Sequence, residues 1–152
     1  MRLVIAMLLL AAAPAMAQVE VVKAWTRATP PGASVAAGYL LILNKGSAPD
    51  RLVSAKSPAA ARVETHVTVQ EGNISRMREV KGYDIPARGR LELKPGGSHL
   101  MFVDIKAPLK AGDKLAATLR FQRAGEMHVQ FDVQGMGAMG AGHGEMKGMK
   151  TR

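Results

Sequence analysis

Apolar and polar residues alternate with a period of two along most of the chain. In residues 63–70, Val or Thr at each odd position is followed by a polar side chain at the even one, which is typical of a strand with one buried face. Gly, Pro, Asn and Asp interrupt the pattern at short intervals, as they do between strands. The predicted strands span residues 19–23, 35–43, 51–56, 63–70, 74–80, 90–93, 98–105, 114–121 and 126–133, with a connector at 57–61 that has room for one helical turn and a loop at 82–89. The pattern therefore predicts an all-β sandwich or barrel.

The strands at 63–70 and 74–80 lie close enough in sequence to form a hairpin. The Glu71–Asn73 segment between them is a turn signal. With Glu71 and Gly72 as the loop, residues whose numbers sum to 143 lie opposite each other, and His66 lies directly opposite Met77. Directly opposed residues on one face have Cβ atoms about 4.5–5.5 Å apart. The hairpin thus predicts that one imidazole and one thioether can bind the same metal ion.

A second imidazole–thioether pair lies on the strand at 98–105. His99 and Met101 occupy positions i and i+2, so both side chains point to the same side of the sheet, about 6.5–7 Å apart. The turn at 94–97 directly precedes them, which places the pair near an end of the sheet. A shallow site at that end suits a protein that transfers its metal ion to another protein.

The four candidate ligands are two imidazoles and two thioethers, with no carboxylate and no thiolate among them. Zinc usually recruits charged ligands, whereas thioether sulfur is soft and selects copper(I). A single Met is ordinarily core filler, and a single His in a strand is ordinarily a polar surface residue. The prediction of a copper(I) site therefore depends on the combination of His66, Met77, His99 and Met101.

The spacing of these residues resembles that of a known family. The pattern His-x10-Met-x21-His-x-Met is similar to that of the periplasmic copper chaperones called PCu(A)C. The resemblance covers about residues 19–133. The segments that carry it are Met77–Val80 and Leu93–Met101, with Ala24–Pro31 and Gly38–Leu40 near the start. Many members have Met directly after the first His, where this chain has Val67; the neighbouring Met is not one of the spaced ligands.

The resemblance implies a fold, a cargo and a recipient. The fold would be a cupredoxin-like Greek-key β-sandwich that binds one copper(I) through His66, Met77, His99 and Met101. The implied function is delivery of copper to the binuclear copper centre of cytochrome c oxidase, in its subunit II, alone or with a Sco-type thiol protein. The implied protein is a carrier and not an enzyme.

Residues 1–17 are predicted to be a cleavable signal peptide, because Arg2 precedes an apolar run at 3–13 and a small-x-small site at 15–17. The run is shorter than the roughly 20 apolar residues of a transmembrane helix. The mature protein would then be a periplasmic domain at residues 18–134, without stable membrane insertion. The chain contains no Cys, so we expect no lipid anchor, no disulfide and no blue-copper site.

The chain is strongly basic, with 21 Lys and Arg against 12 Asp and Glu. Removal of Arg2 with the signal peptide leaves a formal charge of +8, one less than the +9 of the full chain. Such a charge in the cytoplasm would suggest nucleic acid, but export argues against that partner. The basic residues either form an ordinary solvated surface or steer the protein toward an acidic partner or an anionic membrane.

Residues 135–152 differ in composition from the rest of the chain. Six of the eighteen residues are Gly and none is a large aliphatic or aromatic residue, so the segment is predicted to be a disordered tail. Met/His-rich tracts bind metal, and His143 could take copper(II) as well. The candidate auxiliary ligands are Met136, Met139, His143, Met146 and Met149. The alternative is a solubilising tail whose methionines have no function.

Other polar and aromatic residues are weaker candidates. His128 falls on the polar face of its strand and is left out of the site. Trp25 and Tyr39 are expected in the core rather than over the metal. The sequence offers no Ser/His/Asp or Cys/His constellation, and the predicted hairpin register gives one cross-strand carboxylate pair, Glu64 with Glu79.

Two alternatives to the chaperone remain at this point. One is periplasmic copper buffering for tolerance, in which the tail would matter more than the folded domain. The other is a secreted binding or adhesion module that uses no metal. The number of copper ions bound by the full-length and the tail-deleted protein separates the chaperone from the buffering protein. The metal-free module would bind copper no better than a generic Met/His peptide.

Overall fold

The computed structural model describes residues 18–140, which form ten β-strands. Within that range no helix is long and apolar enough to cross a membrane. The strands are β1 (Val19–Arg27), β2 (Val35–Asn44), β3 (Asp50–Lys56), β4 (Ala60–Glu71), β5 (Ile74–Glu79), β6 (Tyr83–Ile85), β7 (Arg90–Leu93), β8 (His99–Ile105), β9 (Lys114–Phe121) and β10 (Gly125–Gln134).

The strands close into a ring of seven, in the order β4-β8-β2-β1-β10-β9-β3. The ring closes where Ala55 of β3 pairs with Val63 of β4. The pairing of β1 with β10 is parallel and the pairs on either side of it are antiparallel. β5 extends the sheet from β4, β6 pairs with β3, and β2 pairs first with β8 and then with β7 along one edge. The predicted all-β, cupredoxin-like Greek-key β-sandwich is confirmed.

The core lies inside this ring and is built from the inward-facing residues of alternating strands. Phe102 of β8 and Phe131 of β10 meet at its centre, with ring centroids 5.5 Å apart in an edge-to-face arrangement. Gly38 of β2 lies against both rings, and a Cβ atom there would be 2.6 Å from Phe102 Cε2. Leu100 is fully buried in the same core. Its neighbours His99 and Met101 therefore face the outside of the ring, since successive strand residues alternate.

Apart from single residues at strand ends, the structure differs from the predicted elements in three places. β1 runs to Arg27, four residues beyond the predicted end at residue 23. Residues 83–85 form β6 where a loop was predicted, because Tyr83 and Ile85 are both buried and pair along β3. Three residues between a glycine and a proline are too few to show an alternating pattern. The connector predicted at 57–61 forms a turn and then enters β4 at Ala60, without a helical turn.

Candidate metal centre

The β4–β5 hairpin has a different register from the predicted one. Its loop is Gly72-Asn73, so Glu71 pairs with Ile74, and Met77 lies opposite Thr68 instead of His66. Gly72 has φ of 61°, which suits the first loop position of a type II′ turn, where glycine is favoured. The predicted register is therefore wrong by two residues.

A shift of two residues preserves the face of every side chain. Met77 is still on the face of His66, as its diagonal neighbour, and such neighbours lie about 7–8 Å apart, within reach of a long side chain. Directly opposite His66 is Glu79. The predicted Glu64–Glu79 pair does not form, because in the observed register Glu79 lies opposite His66. On the other side of β4, Glu64 lies opposite Met101 of β8.

The pairing of β4 with β8 brings the two histidines together. His66 and His99 are directly opposed in this antiparallel pair, and their ring centroids are 5.6 Å apart with 52° between the ring planes. In the next pair on the same face, Met101 lies beside Glu64 on one side and Ala37 of β2 on the other. The outer face of β4, β5 and β8 thus carries all four predicted ligands.

Each imidazole uses one nitrogen in a hydrogen bond and keeps the other free. His66 Nε2 lies 2.9 Å from Glu64 Oε2, and His99 Nδ1 lies 3.2 Å from the carbonyl oxygen of Gly97. Because both partners accept hydrogen bonds, these nitrogens are the protonated ones in the neutral rings. The lone pairs then lie on His66 Nδ1 and His99 Nε2, and both atoms are buried without a hydrogen-bond partner. Two buried lone pairs on opposed residues are what a metal ion would satisfy.

The electrostatics keep the site in a metal-binding protonation state. Burial lowers the pKa of His99; the Gly97 hydrogen bond opposes this shift and the neighbouring His66 adds to it. His99 is therefore neutral at neutral pH. Hydrogen bonds from Arg62, and next from His66, lower the pKa of Glu64. Glu64 thus remains a carboxylate and can accept a hydrogen bond from His66 Nε2.

The two methionines differ in exposure. Met101 is half-buried in β8, whereas Met77 on β5 is 63% exposed. Among residues 18–140, no group of three or more His, Asp or Glu side chains is placed to hold a metal.

Trp25 and Tyr39 are both buried, but they pack apart from the main core cluster. Their ring centroids are 4.6 Å apart, and the Arg27 guanidinium carbon lies 5.9 Å and 5.7 Å from them. Arg27 Nε also donates to the carbonyl oxygen of Ala138, and Gly140 lies against the indole of Trp25. Trp25 lies opposite Tyr39 where β1 pairs with β2, so the cluster lies on these two strands and outside the main core cluster.

The tail is described only at its beginning. Met136 and Met139 are 64% and 66% exposed, and Arg27 contacts the Met139 sulfur at 3.4 Å. The other predicted auxiliary ligands, His143, Met146 and Met149, lie outside the described residues. His128 is exposed and hydrogen-bonds Thr118 on β9.

Two residues of the centre make contacts that the sequence did not predict. The strand pattern placed Glu64 on the face of His66, but as the partner of Glu79 and not as a hydrogen-bond partner of His66. Tyr83 gave no such signal, because it lies in the segment predicted as a loop. Its Oη lies 2.6 Å from the carbonyl oxygen of His66 and 2.7 Å from that of His99. Burial raises the pKa of Tyr83 to about 12, so the phenol is protonated and able to donate.

Comparison with known sequences shows the family of this chain. The family model described as LpqE-like matches residues 19–133. The Leifsonia xyli subsp. xyli protein Lxx21020, whose name describes a lipoprotein, is 44% identical over 104 residues. The match covers 68% of this chain and 61% of that protein, so this chain spans less than two thirds of the relative.

Two solved structures share the fold. The copper-bound PCuAC domain from PmoF2 superposes with a TM-score of 0.68 at 29% identity, covering 78% of this chain and 93% of that one. The copper(I) form of DR1885 from Deinococcus radiodurans gives a TM-score of 0.60 at 33% identity, covering 74% and 75%. Both of these structures are of copper-loaded proteins. The chain therefore belongs to the LpqE-like family and has the fold of the PCuAC domains that bind copper.

Proposed function

We propose that this protein is a periplasmic copper(I) chaperone, and not an enzyme, that binds one copper(I) through His66, Met77, His99 and Met101. The observation that carries the proposal is the pair of buried, unpartnered ring nitrogens on opposed residues, His66 Nδ1 and His99 Nε2. An unsatisfied buried polar atom is costly, and a bound metal ion removes that cost for both rings at once. The copper-bound PCuAC domains of the same fold support the choice of metal.

The donor set favours copper(I) over other metals. Two thioethers and two neutral imidazoles place no charge on the ion, and thioether sulfur prefers copper(I). Glu64 supplies a negative charge next to the site through its hydrogen bond to His66. That charge can stabilise a bound monocation from outside the ligand set.

The uneven exposure of the ligands supports a carrier. His99 is 3% exposed and Met77 is 63% exposed, so an incoming donor reaches the ion from the β5 side. In the proposed transfer, a thiolate or imidazole of the acceptor binds the ion as the Met77 thioether leaves. The histidines, whose side chains are less exposed than that of Met77, would leave last, which keeps the ion coordinated throughout the exchange.

The acceptor we propose is the binuclear copper centre in subunit II of cytochrome c oxidase, which the protein supplies alone or together with a Sco-type thiol protein. The resemblance to PCu(A)C chaperones motivates this choice. Export through the predicted signal peptide would place the protein in the same compartment as that centre. The basic mature chain would approach an acidic acceptor faster at low salt.

Transfer to a defined acceptor tests the proposal. The mature chain loaded with one copper(I) would be mixed, without oxygen, with reduced apo subunit II copper domain, and the two would be separated and assayed for metal. A chaperone moves copper to the acceptor faster than a small-molecule copper(I) complex of equal affinity does. Copper that stays on the protein, or moves no faster than from that complex, contradicts chaperone function.

Copper buffering is the second candidate, and the exposed thioethers of Met136 and Met139 are the observation in its favour. The control is a full-length variant in which the five Met and His residues of the tail are replaced by Ser. If transfer persists in this variant, the folded domain carries the copper. If copper binding disappears with the tail residues, buffering by the tail is the better account. A protein with no copper affinity in either form would be a metal-free binding module.

A further inference from the structure

Tyr83 connects the two candidate histidines from the core side of the sheet. It lies on β6, which pairs with β3, yet its hydroxyl reaches across to the backbone of β4 and β8. The residue is 7% exposed and belongs to the core cluster. The rings of His66 and His99 lie on the opposite, outer face. One phenol thus contacts the main chain directly beneath both metal-facing side chains.

The two contacts are short and direct. The Oη atom is 2.6 Å from the carbonyl oxygen of His66 and 2.7 Å from that of His99. A phenol has one proton to share between two acceptors, so the bond fixes the position of both carbonyls relative to one atom. The separation of the two strands at the ligand pair is thereby restricted.

The segment that carries Tyr83 is itself fastened to β4 beside His66. Val80 N donates to the carbonyl oxygen of Thr65 at 2.8 Å, the Thr65 hydroxyl donates to the carbonyl of Val80, and Gly82 N donates to Thr65 Oγ1 at 3.3 Å. Gly82 has φ of 88°, and a Cβ atom there would lie 2.3 Å from the carbonyl oxygen of Leu52. Only glycine permits this path of the chain. The strand of Met77, which ends just before Val80, is tied into the same network.

We propose that Tyr83 is a positioning residue of the copper site, holding His66 and His99 at the separation that binds copper(I). The inference rests on the proposed copper site and adds a residue that touches no ligand side chain. Outer-shell residues of metal sites typically change metal affinity by about 10–100-fold when mutated, because they set the geometry of the ligands. A hydroxyl that binds two ligand backbones at once acts on both ligands together.

The test compares Tyr83→Phe with wild type in the full mature chain. The dissociation constant for copper(I) would be measured by anaerobic competition with a chelator, at a temperature where both proteins are fully folded. We expect Tyr83→Phe to raise that constant by about 10-fold. The long-range 1H–15N correlation spectrum of the imidazole nitrogens in the copper(I)-loaded protein should still show both histidines bound, since the ligands themselves are intact.

Two further variants separate positioning from mere stability. Ile85→Val removes one methylene from a fully buried residue of the same strand, and it should lower the melting temperature without changing the copper(I) constant. Thr65→Val removes the hydroxyl that fastens the Tyr83 segment, and it should weaken copper(I) binding in the same direction even if Tyr83→Phe fails to fold.

The outcomes distinguish the inference from the function on which it rests. Wild-type protein that binds no copper(I) tightly would overturn the proposed function. Wild-type protein that binds tightly, with Tyr83→Phe and Thr65→Val within twofold of it, would overturn the positioning role alone. A change in Ile85→Val equal to that in Tyr83→Phe would also overturn it, because affinity would then follow stability.

Discussion

His66 and His99 are opposed residues whose ring tautomers are set by different acceptors. A carboxylate accepts from His66 Nε2, and the backbone carbonyl of Gly97 accepts from His99 Nδ1. The free nitrogen is therefore Nδ1 in one ring and Nε2 in the other. A metal-bound imidazole usually donates its other N–H to such an acceptor, and each ring already makes a hydrogen bond of this kind.

Replacement of Glu64 by Gln tests this orientation. The amide keeps the size of the side chain but removes its charge and can donate as well as accept, so the tautomer of His66 is no longer fixed. We expect copper(I) binding to weaken by about 10-fold, measured by chelator competition. Glu126→Gln, which alters an exposed carboxylate on β10, is the matched control and should leave the affinity unchanged. Equal affinities in the two variants would contradict a role for Glu64.

The lowered pKa of His99 predicts how the metal-free protein responds to acid. Its pKa is depressed in the folded state, so the unfolded chain, with an ordinary pKa near 6.5, takes up the proton first. The contribution of neutral His99 to the free energy of unfolding is thus complete above about pH 6.5, and it is lost as the pH falls through the pKa of His99 in the folded protein. Urea unfolding at several pH values should show a steeper acid loss for wild type than for His99→Gln. Parallel curves would show that His99 is not the group responsible.

At the level of elements, the site depends on one long-range pairing. β4 and β8 are separated by more than 25 residues in sequence, and their register places His66 opposite His99 and Glu64 opposite Met101. β5 then adds Met77 from the other edge of β4. The centre is therefore built on three neighbouring strands, which hold side chains more precisely than loops do.

Local patterns predicted the strands better than their pairing. The alternation in residues 98–105 and 114–121 is strong, and both strands form where predicted apart from one residue at the start of β8. The β4–β5 register depended on which two of three turn residues form the loop, and sequence alone did not separate these choices. The β4–β8 register is set by packing of the whole ring, so the direct contact of His66 with His99 had no local signal.

The candidate ligands were recognisable because their chemistry is rare in combination. His66, Met77, His99 and Met101 were chosen by residue type and by strand period, and the structure places them on one face. The supporting residues were not recognisable in this way. A single Glu or Tyr has many roles, and only the fold shows that Tyr83 contacts the backbone of both histidines.

Gly38 of β2 packs against the rings of Phe102 and Phe131, and this contact predicts the effect of a larger residue at position 38. Gly38 pairs with Leu100 of β8, and a Cβ atom would overlap the ring of Phe102. Gly38→Ala should therefore overpack the core and reduce the free energy of unfolding by about 1–3 kcal/mol, measured as a lower urea midpoint. Gly137→Ala, where a Cβ atom meets nothing within 4 Å, is the control. Equal midpoints in the two variants would show that the ring of Phe102 yields without cost.

The whole molecule combines a closed β framework with a ligand set open on one side. Three ligands lie on the outer face of β4 and β8, which are strands of the ring, and the exposed Met77 lies on β5, which is not part of the ring. The first residues of the tail are fixed next to this face by Arg27. This arrangement is consistent with rigid binding of copper by the framework and access for an acceptor from the β5 side.

Anaerobic titration of copper(I) tests the central claim most directly. The protein would be the mature chain with Ser in place of the five Met and His residues of the tail, titrated against a competing chelator. We expect one tightly bound copper(I) per chain, and an affinity lower by orders of magnitude when His99→Ala or Met101→Ala is added while circular dichroism is unchanged. Absence of a tight equivalent, or unchanged affinity in both added variants, would contradict a copper site at His66, Met77, His99 and Met101.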